Sequence, residues 1–406
     1  LKHTVHALND SYRHQLLYSD GTCPNIRKLS VKTPNEVSIA GMKPSEFVGV
    51  DARHNRRAIP LTESGDEVTV TSPEGVPLVV ITKGSGLLNS DEADINAESW
   101  RLTKHARGTT LRGLLEKEWM EHAWQMAALL QKKGVDTYTP LLIAQLKEVE
   151  VNGQRVPLDG TDERVKFIRR EPVILGMFTH TLREGTEIGI ELSGVLTNKR
   201  MGEVMRVIEK GDFKEAREVV VHAVTLINNY LRKDGEPLPI PQEGDGSIQH
   251  YVQWFVTRYA QSMGRMHRPD NIGTILHRGM HTDQVNTLAQ LFDFDTAWPV
   301  DQAFREREIQ RLGESGTILS NDDRWRGYCE EEMWGETNPK HLFEYALRVH
   351  TAFGERAPNR NELERTFFET YVRAYHDVEK GDFDWQDALP RHILRGRVSG
   401  KAKLPR

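Results

Sequence analysis

Cysteine is scarce in this sequence of 406 residues, and long apolar runs are missing. The two cysteines, Cys23 and Cys329, lie far apart without a CxxC motif. This spacing argues against a disulfide framework or a cysteine zinc site and favours a reducing compartment. No apolar stretch approaches the roughly 20 residues that span a bilayer, and the first residues lack a signal-peptide core. We therefore expect a cytoplasmic protein with no membrane partner.

A strong excess of charge of either sign is also missing. The net charge is −5 and the pI is about 6.4, so electrostatics give no case for a nucleic-acid partner. Apolar residues make up 38% and charged residues 28% of the chain, which is ordinary for a folded globular protein. At this length we expect two or three domains, or one large core with an added lobe.

The first part of the chain is predicted to be rich in β-structure. Segments 67–71 and 78–82 flank a turn, and Asn152-Gly153 is a strong hairpin signal between two alternating segments. One prominent helix is expected at about 112–134, where apolar residues recur at helical spacing. These features predict a β-rich N-lobe that covers residues 1–175.

From residue 176 onward the pattern is mainly helical. Apolar residues recur three and four positions apart in segments 216–230, 252–263 and 363–375. We expect these stripes to form the core of a helical C-lobe, residues 176–406. This lobe would carry an acid-rich catalytic loop at 277–298 and end in a helical extension.

The acid-rich loop reads HRGMHTDQVNTLAQLFDFDTAW and sets aspartates among apolar residues. Asp283 follows a helix and Asp293 ends a short β-like segment, which suits metal–nucleotide chemistry of the kinase type. One carboxylate takes the proton of a hydroxyl, and the other holds a divalent ion. The apolar residues between them would anchor a hairpin that fixes both acids. Gln284 or Asn286 would supply a neutral oxygen to the ion. A structural network of capped turns is the alternative.

Two histidines in the same loop raise a different possibility. His277 and His281 lie four residues apart and would serve as metal ligands in a metal-only hydrolase. Gly279 between them argues against a helix, and the chain has no HExxH motif. We expect His277 to brace the loop through hydrogen bonds.

The stretch VVITKGSGLLN, residues 79–89, is a second candidate site. A strand delivers Lys83, whose ammonium is a point charge suited to phosphate oxygens. Gly84 and Gly86 leave space for a ligand or a backbone to approach closely. Glu118 on the following helix would pair with the lysine, as in kinase-like sites.

Arginines in two places are candidates for phosphate binding. Arg53, Arg56 and Arg57 precede the first hairpin, and Arg169 and Arg170 follow a predicted strand. Adjacent strand residues face opposite sides, so one of Arg169 and Arg170 is expected to reach phosphates while its neighbour faces solvent. A solvated basic loop is the alternative in both places.

Together these residues resemble the selenoprotein O family, kinase-fold enzymes that transfer AMP from ATP to protein hydroxyls. The stretch HRGMHTDQVNTLAQLFDFD aligns without a gap with the catalytic stretch of that family. RRAIPL…VVITKGSG and RGTTLRGLLEKEWM are similar to upstream motifs of the family, and the resemblance covers about 47–134 and 250–298. The identical positions in the catalytic stretch are His277, Met280, Thr282, Asp283, Leu288 and Asp293.

The resemblance implies an α+β, protein-kinase-like bilobal fold with ATP and Mg²⁺ or Mn²⁺ as cofactors. It implies that Asp283 is the base, Asp293 a metal ligand, and Lys83 with Glu118 the phosphate-positioning pair. The family has an Asn directly after the base, where this chain has Gln284. The acceptor would be a hydroxyl of a protein or of a small molecule. A kinase that acts on a small metabolite and a silent nucleotide-binding pseudokinase are the alternatives.

Overall fold

The computed structural model describes residues 69–83, 115–146 and 188–398, together with isolated strand segments elsewhere; short gaps fall at 73, 233–235, 278–281, 379–380 and 382. The chain divides into two compact units. Unit 1 comprises Leu1–Trp124 and Thr139–Asn198, and unit 2 comprises Gln125–Tyr138 and Lys199–Arg406. The predicted lobe boundary at 175/176 lies outside the described residues. The mixture of helices and a small antiparallel sheet is compatible with the predicted α+β class.

Unit 1 is built around one antiparallel sheet of seven strands, in the order β2–β12–β15–β8–β4, with β11 paired to β15 and β7 to β8. β15 is central, and its residues 191–195 are all buried. The strands of the unit are β1 (Ala7–Leu8), β2 (His14–Ser19), β3 (Ser30–Val31), β4 (Ile59–Pro60), β5 (Thr62–Glu63), β6 (Asp66–Glu67), β7 (Thr69–Thr71), β8 (Pro77–Lys83), β9 (Thr103–His105), β10 (Gly108–Thr110), β11 (Leu115–Glu116), β12 (Thr139–Leu146), β13 (Glu148–Val151), β14 (Gln154–Pro157) and β15 (Ile188–Val195).

Both predicted hairpins are confirmed. β7 pairs antiparallel with β8 around Gly75, whose φ of 81° is left-handed, and β13 pairs antiparallel with β14 around Asn152-Gly153. The predicted helix at about 112–134 is confirmed as α1, Lys117–Lys132. It begins later than expected because residues 115–116 form β11 and pair with β15 instead.

Unit 2 is mainly helical, as the apolar stripes predict. Its helices are α2 (Met201–Glu209), α3 (Phe213–Leu226, continued by a π-helical turn Ile227–Leu231), α4 (Ile248–His267), α5 (Gln302–Leu312), α6 (Glu314–Leu319), α7 (Asp322–Glu336), α8 (Lys340–Ala352), α9 (Arg360–Tyr375) and α10 (Arg391–Val398). A short antiparallel pair, β16 (Ile275–His277) and β17 (Ala297–Pro299), brackets the acid-rich loop. No helix among the described residues is long and apolar enough to cross a membrane.

Helices α4 and α9 pack against each other to form the centre of unit 2. Val252, Phe255 and Val256 of α4 are at most 1% exposed, and Phe367 and Tyr371 of α9 are fully buried. Gly264 permits this close approach, because a Cβ at that position would meet the backbone oxygen of Tyr371.

Lys133 joins the end of α1 to the turn that follows α4. Its buried ammonium donates to the Arg268 carbonyl at 2.8 Å, to Asp270 Oδ1 at 2.8 Å and to the Gly273 carbonyl at 2.7 Å. Burial lowers the pKa of Lys133, and the hydrogen bond to Asp270 opposes that shift. All three donor positions of the ammonium are therefore satisfied inside the protein.

Candidate functional site

Residues 284–292 form a tight hairpin in unit 2. The Phe292 amide donates to the Gln284 carbonyl at 2.9 Å, and the Asn286 amide donates to the Gln290 carbonyl at 3.1 Å. Ala289 closes the turn with a left-handed φ of 58°. Asp283 and Asp293 are the next residues on the two sides, so the paired backbone brings both predicted acids to the open end of one hairpin.

Two neighbouring segments hold this hairpin on either side. On one side, the Thr287 amide donates to the Lys199 carbonyl and the Met201 amide donates to the Val285 carbonyl, both at 2.9 Å. On the other side, the Leu291 amide donates to the Asp136 carbonyl at 2.9 Å. The hairpin is therefore the middle element of a small hydrogen-bonded layer within unit 2.

The apolar residues of the hairpin are buried, as predicted. Five of them are at most 3% exposed: Val285, Leu288, Ala289, Leu291 and Phe292. The Arg200 guanidinium lies 3.4 Å from the centre of the Phe292 ring, and Tyr138 packs against the same ring. Burying a leucine side chain contributes about 1.5–3 kcal/mol, so the anchor is strong enough to fix the acids. The buried apolar residues therefore anchor the hairpin that ends in the two aspartates.

Asp283 lies in a 3₁₀ turn, Thr282–Gln284, and pairs with an arginine of α2. Arg206 Nη1 lies 3.1 Å from one carboxylate oxygen and 3.3 Å from the other. A neighbouring guanidinium stabilises the charged form of a carboxylate, which is the form that accepts a proton. Gly202 makes room for this arrangement, because a Cβ there would collide with the Asp283 carboxylate.

Asp293 adopts a left-handed backbone conformation, with φ 69° and ψ 48°. Aspartate is among the side chains that tolerate this region, but such residues cost about 1–3 kcal/mol and cluster at functional sites. Gln284 Nε2 donates to Asp293 Oδ2 at 3.5 Å, so the amide and the carboxylate predicted to hold a metal lie together.

Asn286, the other predicted metal ligand, shapes the turn. Its Oδ1 accepts from the amides of Leu288 at 2.9 Å and Gln290 at 3.0 Å, and its Nδ2 donates to Gln290 Oε1 at 2.9 Å. The side chain is fully buried. These bonds argue against a metal-ligating role for Asn286, because its one acceptor oxygen already receives two backbone donors.

The oxygen donors at the open end of the hairpin suit a metal ion whose remaining ligands come from substrate phosphates and water. Among the described residues, no group of three or more His, Cys, Asp and Glu side chains is placed to hold a metal ion. Magnesium, however, is commonly bound through one or two carboxylates while substrate phosphates and waters complete its shell. The carboxylate of Asp293 and the amide of Gln284 fit that pattern.

His277 braces the hairpin, as predicted. Its buried Nε2 donates to the Phe292 carbonyl at 3.0 Å, so this nitrogen carries a proton and does not ligate a metal. The hydrolase alternative also needs His281, which lies outside the described residues.

Sequence reasoning missed three residues at the start of α2 or within it. Arg200 packs on Phe292 of the hairpin, and Gly202 and Arg206 lie against Asp283. The available signal was a glycine inside a helical pattern, which usually has a packing or functional reason. The predicted arginines Arg169 and Arg170 lie outside the described residues, as do Arg53, Arg56 and Arg57.

The other predicted phosphate-binding residues belong to unit 1. Lys83 ends β8 in register with Glu191 of β15, and the buried Glu191 carboxylate accepts from Ser193 Oγ at 2.8 Å. Glu118 lies exposed in the first turn of α1. The pairing of Lys83 with Glu118 stays a prediction, and Gly84 and Gly86 lie outside the described residues.

Comparison with known proteins adds no assignment. No protein-family model matches the chain, and no curated protein matches it.

Proposed function

We propose that this chain is an ATP-dependent nucleotidyltransferase, which moves AMP from ATP to the hydroxyl of a protein or of a small molecule. The observation that carries the proposal is the hairpin of unit 2, which keeps Asp283 beside Arg206 and Asp293 beside Gln284 at its open end. The resemblance to the selenoprotein O family supports AMP as the group transferred.

In the proposed reaction, the acceptor oxygen bonds to the α-phosphorus and the bond to the pyrophosphate oxygen breaks. Asp283 takes the hydroxyl proton, and Arg206 holds the Asp283 carboxylate charged and oriented. Asp293 and Gln284 would hold Mg²⁺ or Mn²⁺, which offsets phosphate charge when bound. Positioning and electrostatics of this kind account for most catalysis of phosphoryl transfer. The phosphate-positioning roles of Lys83 and Glu118 remain predictions that Lys83→Met would test.

The test compares α-³²P-ATP with γ-³²P-ATP, in Mn²⁺ or Mg²⁺, with the chain itself and a serine-rich protein as acceptors. Label from the α-phosphate alone is expected. Asp283→Asn should lose transfer at least 100-fold while ATP still raises the melting temperature. Asp212→Asn is the matched control, because Asp212 caps α3 and asparagine is an equally good cap. Full activity in Asp283→Asn would remove the base assignment, and label from γ alone would replace AMP transfer by phosphorylation.

A silent nucleotide-binding module is the second candidate. Two observations favour it: Arg206 contacts both oxygens of Asp283, and Asp295, two residues after the proposed metal ligand Asp293, is a buried acid. A melting-temperature series with ATP, with and without Mn²⁺, separates the two. A metal-dependent shift without label transfer supports the silent module, and an unchanged melting temperature without label contradicts both.

A further inference from the structure

The strained Asp293 lies between two aromatic residues that contact the same imidazole. His277 Nε2 donates to the carbonyl of Phe292, and the His277 ring meets the Phe294 ring edge-on at a centroid distance of 5.7 Å. Strained backbone persists only where its surroundings over-determine it. One histidine therefore restrains the residues on both sides of the proposed metal ligand.

His277 is itself held by an acid from α7. Its backbone amide donates to Glu336 Oε1 at 2.9 Å, and the other carboxylate oxygen lies 2.7 Å from His267 Nε2. Glu336 is only 9% exposed. A buried carboxylate needs such donors to remain ionised, so these two bonds tie β16 firmly to α4 and α7.

The hydrogen bonds continue into the C-terminal helices. Tyr371 of α9 lies 2.8 Å from His267 Nδ1 and 2.9 Å from His392 Nε2 of α10. With neutral histidines, one direction satisfies every group: His392 donates to Tyr371, Tyr371 donates to His267, and His267 donates to Glu336. His267, Tyr371 and His392 are at most 1% exposed, so water does not substitute for a lost member.

We infer that His277 and Glu336 are positioning residues for Asp293, and that α7, α9 and α10 belong to the support of the candidate site through them. This inference rests on the proposed function. Groups one step behind a metal ligand set its orientation, and their loss typically costs about 10–100-fold in metal affinity or activity. Through these hydrogen bonds the C-terminal helices would help to position Asp293 as well as cover the core.

The test uses Glu336→Gln, which keeps the shape and removes the charge and one acceptor. Two readouts are taken: the Mn²⁺ concentration that half-saturates label transfer, and hydrogen exchange of the amides 293–296 in the protein without ligands. We expect the half-saturating Mn²⁺ concentration to rise about 10-fold or more, and exchange at 293–296 to accelerate. Tyr371→Phe breaks the chain without altering packing and should move both readouts in the same direction.

Glu308→Gln is the matched control. Glu308 of α5 is a buried glutamate of unit 2 whose partners are Arg311 and Tyr328. It should lower the melting temperature and leave both readouts unchanged. Should Glu336→Gln and Tyr371→Phe behave like this control, the positioning inference is overturned while the proposed function stands. Should the wild-type chain transfer no label, the proposed function fails, and exchange at 293–296 still decides whether Glu336 positions Asp293.

Discussion

Two buried histidines of unit 2, His267 and His392, make its stability depend on pH in a direction that the structure fixes. Burial lowers the pKa of His267 to about 3, and burial lowers the pKa of His392 to about 3 as well. The groups that face His267 are Glu336, Tyr371, His392 and the charge of Lys133, and those that face His392 are Tyr371, Tyr375 and His267. Both imidazoles are therefore neutral in the folded unit across the ordinary working range.

The sign follows from proton uptake by the unfolded chain. Histidine in an unfolded chain has a pKa near 6.5, so between pH 6.5 and 3 the unfolded state binds protons that the folded state does not. The contribution of the two neutral histidines to stability is fully present above pH 6.5 and is lost as the pH falls from 6.5 to 3. At pH 5 each histidine lowers the free energy of unfolding by about 2 kcal/mol relative to pH 8, so the pair lowers it by about 4 kcal/mol.

The assay is denaturant-dependent hydrogen exchange in α4 and α9 between pH 8 and pH 5, which follows unit 2 alone. His392→Gln keeps a donor for Tyr371 and removes one titration, so it should lose about half of the pH dependence. His222→Gln on the exposed face of α3 is the control and should match the wild type. A His392→Gln variant with the full wild-type slope would refute the neutral assignment.

Three further substitutions test the frame of the site. Gly202→Ala should displace the Asp283 carboxylate and lower label transfer more than 10-fold, with little change in the rise of melting temperature that ATP causes. Gly335→Ala is the control, because a Cβ at that position meets open space. Equal label transfer by the two variants would contradict the steric argument. Leu288→Ala should cost about 2–5 kcal/mol in denaturant unfolding, and a loss below 1 kcal/mol would mean that the hairpin is not anchored by burial. Lys133→Met should cost about 3 kcal/mol because the carbonyls of Arg268 and Gly273 and one oxygen of Asp270 lose the buried ammonium donor. Exposed Lys132→Met should be neutral, and equal melting temperatures of the two variants would mean that the ammonium contacts do not stabilise the fold.

Local chemistry explains which parts of the fold were predictable. The Asn152-Gly153 hairpin and the pairing of β7 with β8 follow from turn residues next to the strands they join, so the sequence is sufficient. The start of α1 was wrong because β11 pairs with residues 188–189, which lie far along the chain. A helical pattern carries no information about such a distant partner.

The same distinction holds within the candidate site. The burial of the apolar side chains between Asp283 and Asp293 was predictable, because acids and apolar residues alternate within one short segment of the sequence. Arg206 was not, because its contact with Asp283 joins residues 77 positions apart. The hydrogen bond between His267 and Tyr371 joins residues 104 positions apart, so the link to the C-terminal helices could not be predicted from the sequence either.

The ladder between residues 284 and 292 has a consequence for related sequences. Side chains alternate along paired strands, so one inserted or deleted residue would turn every following side chain to the opposite face. Such a change would carry one of the two aspartates away from the open end even if every residue type were kept. Spacing between the acids is thus a stricter criterion than residue identity in a search for proteins that share this hairpin.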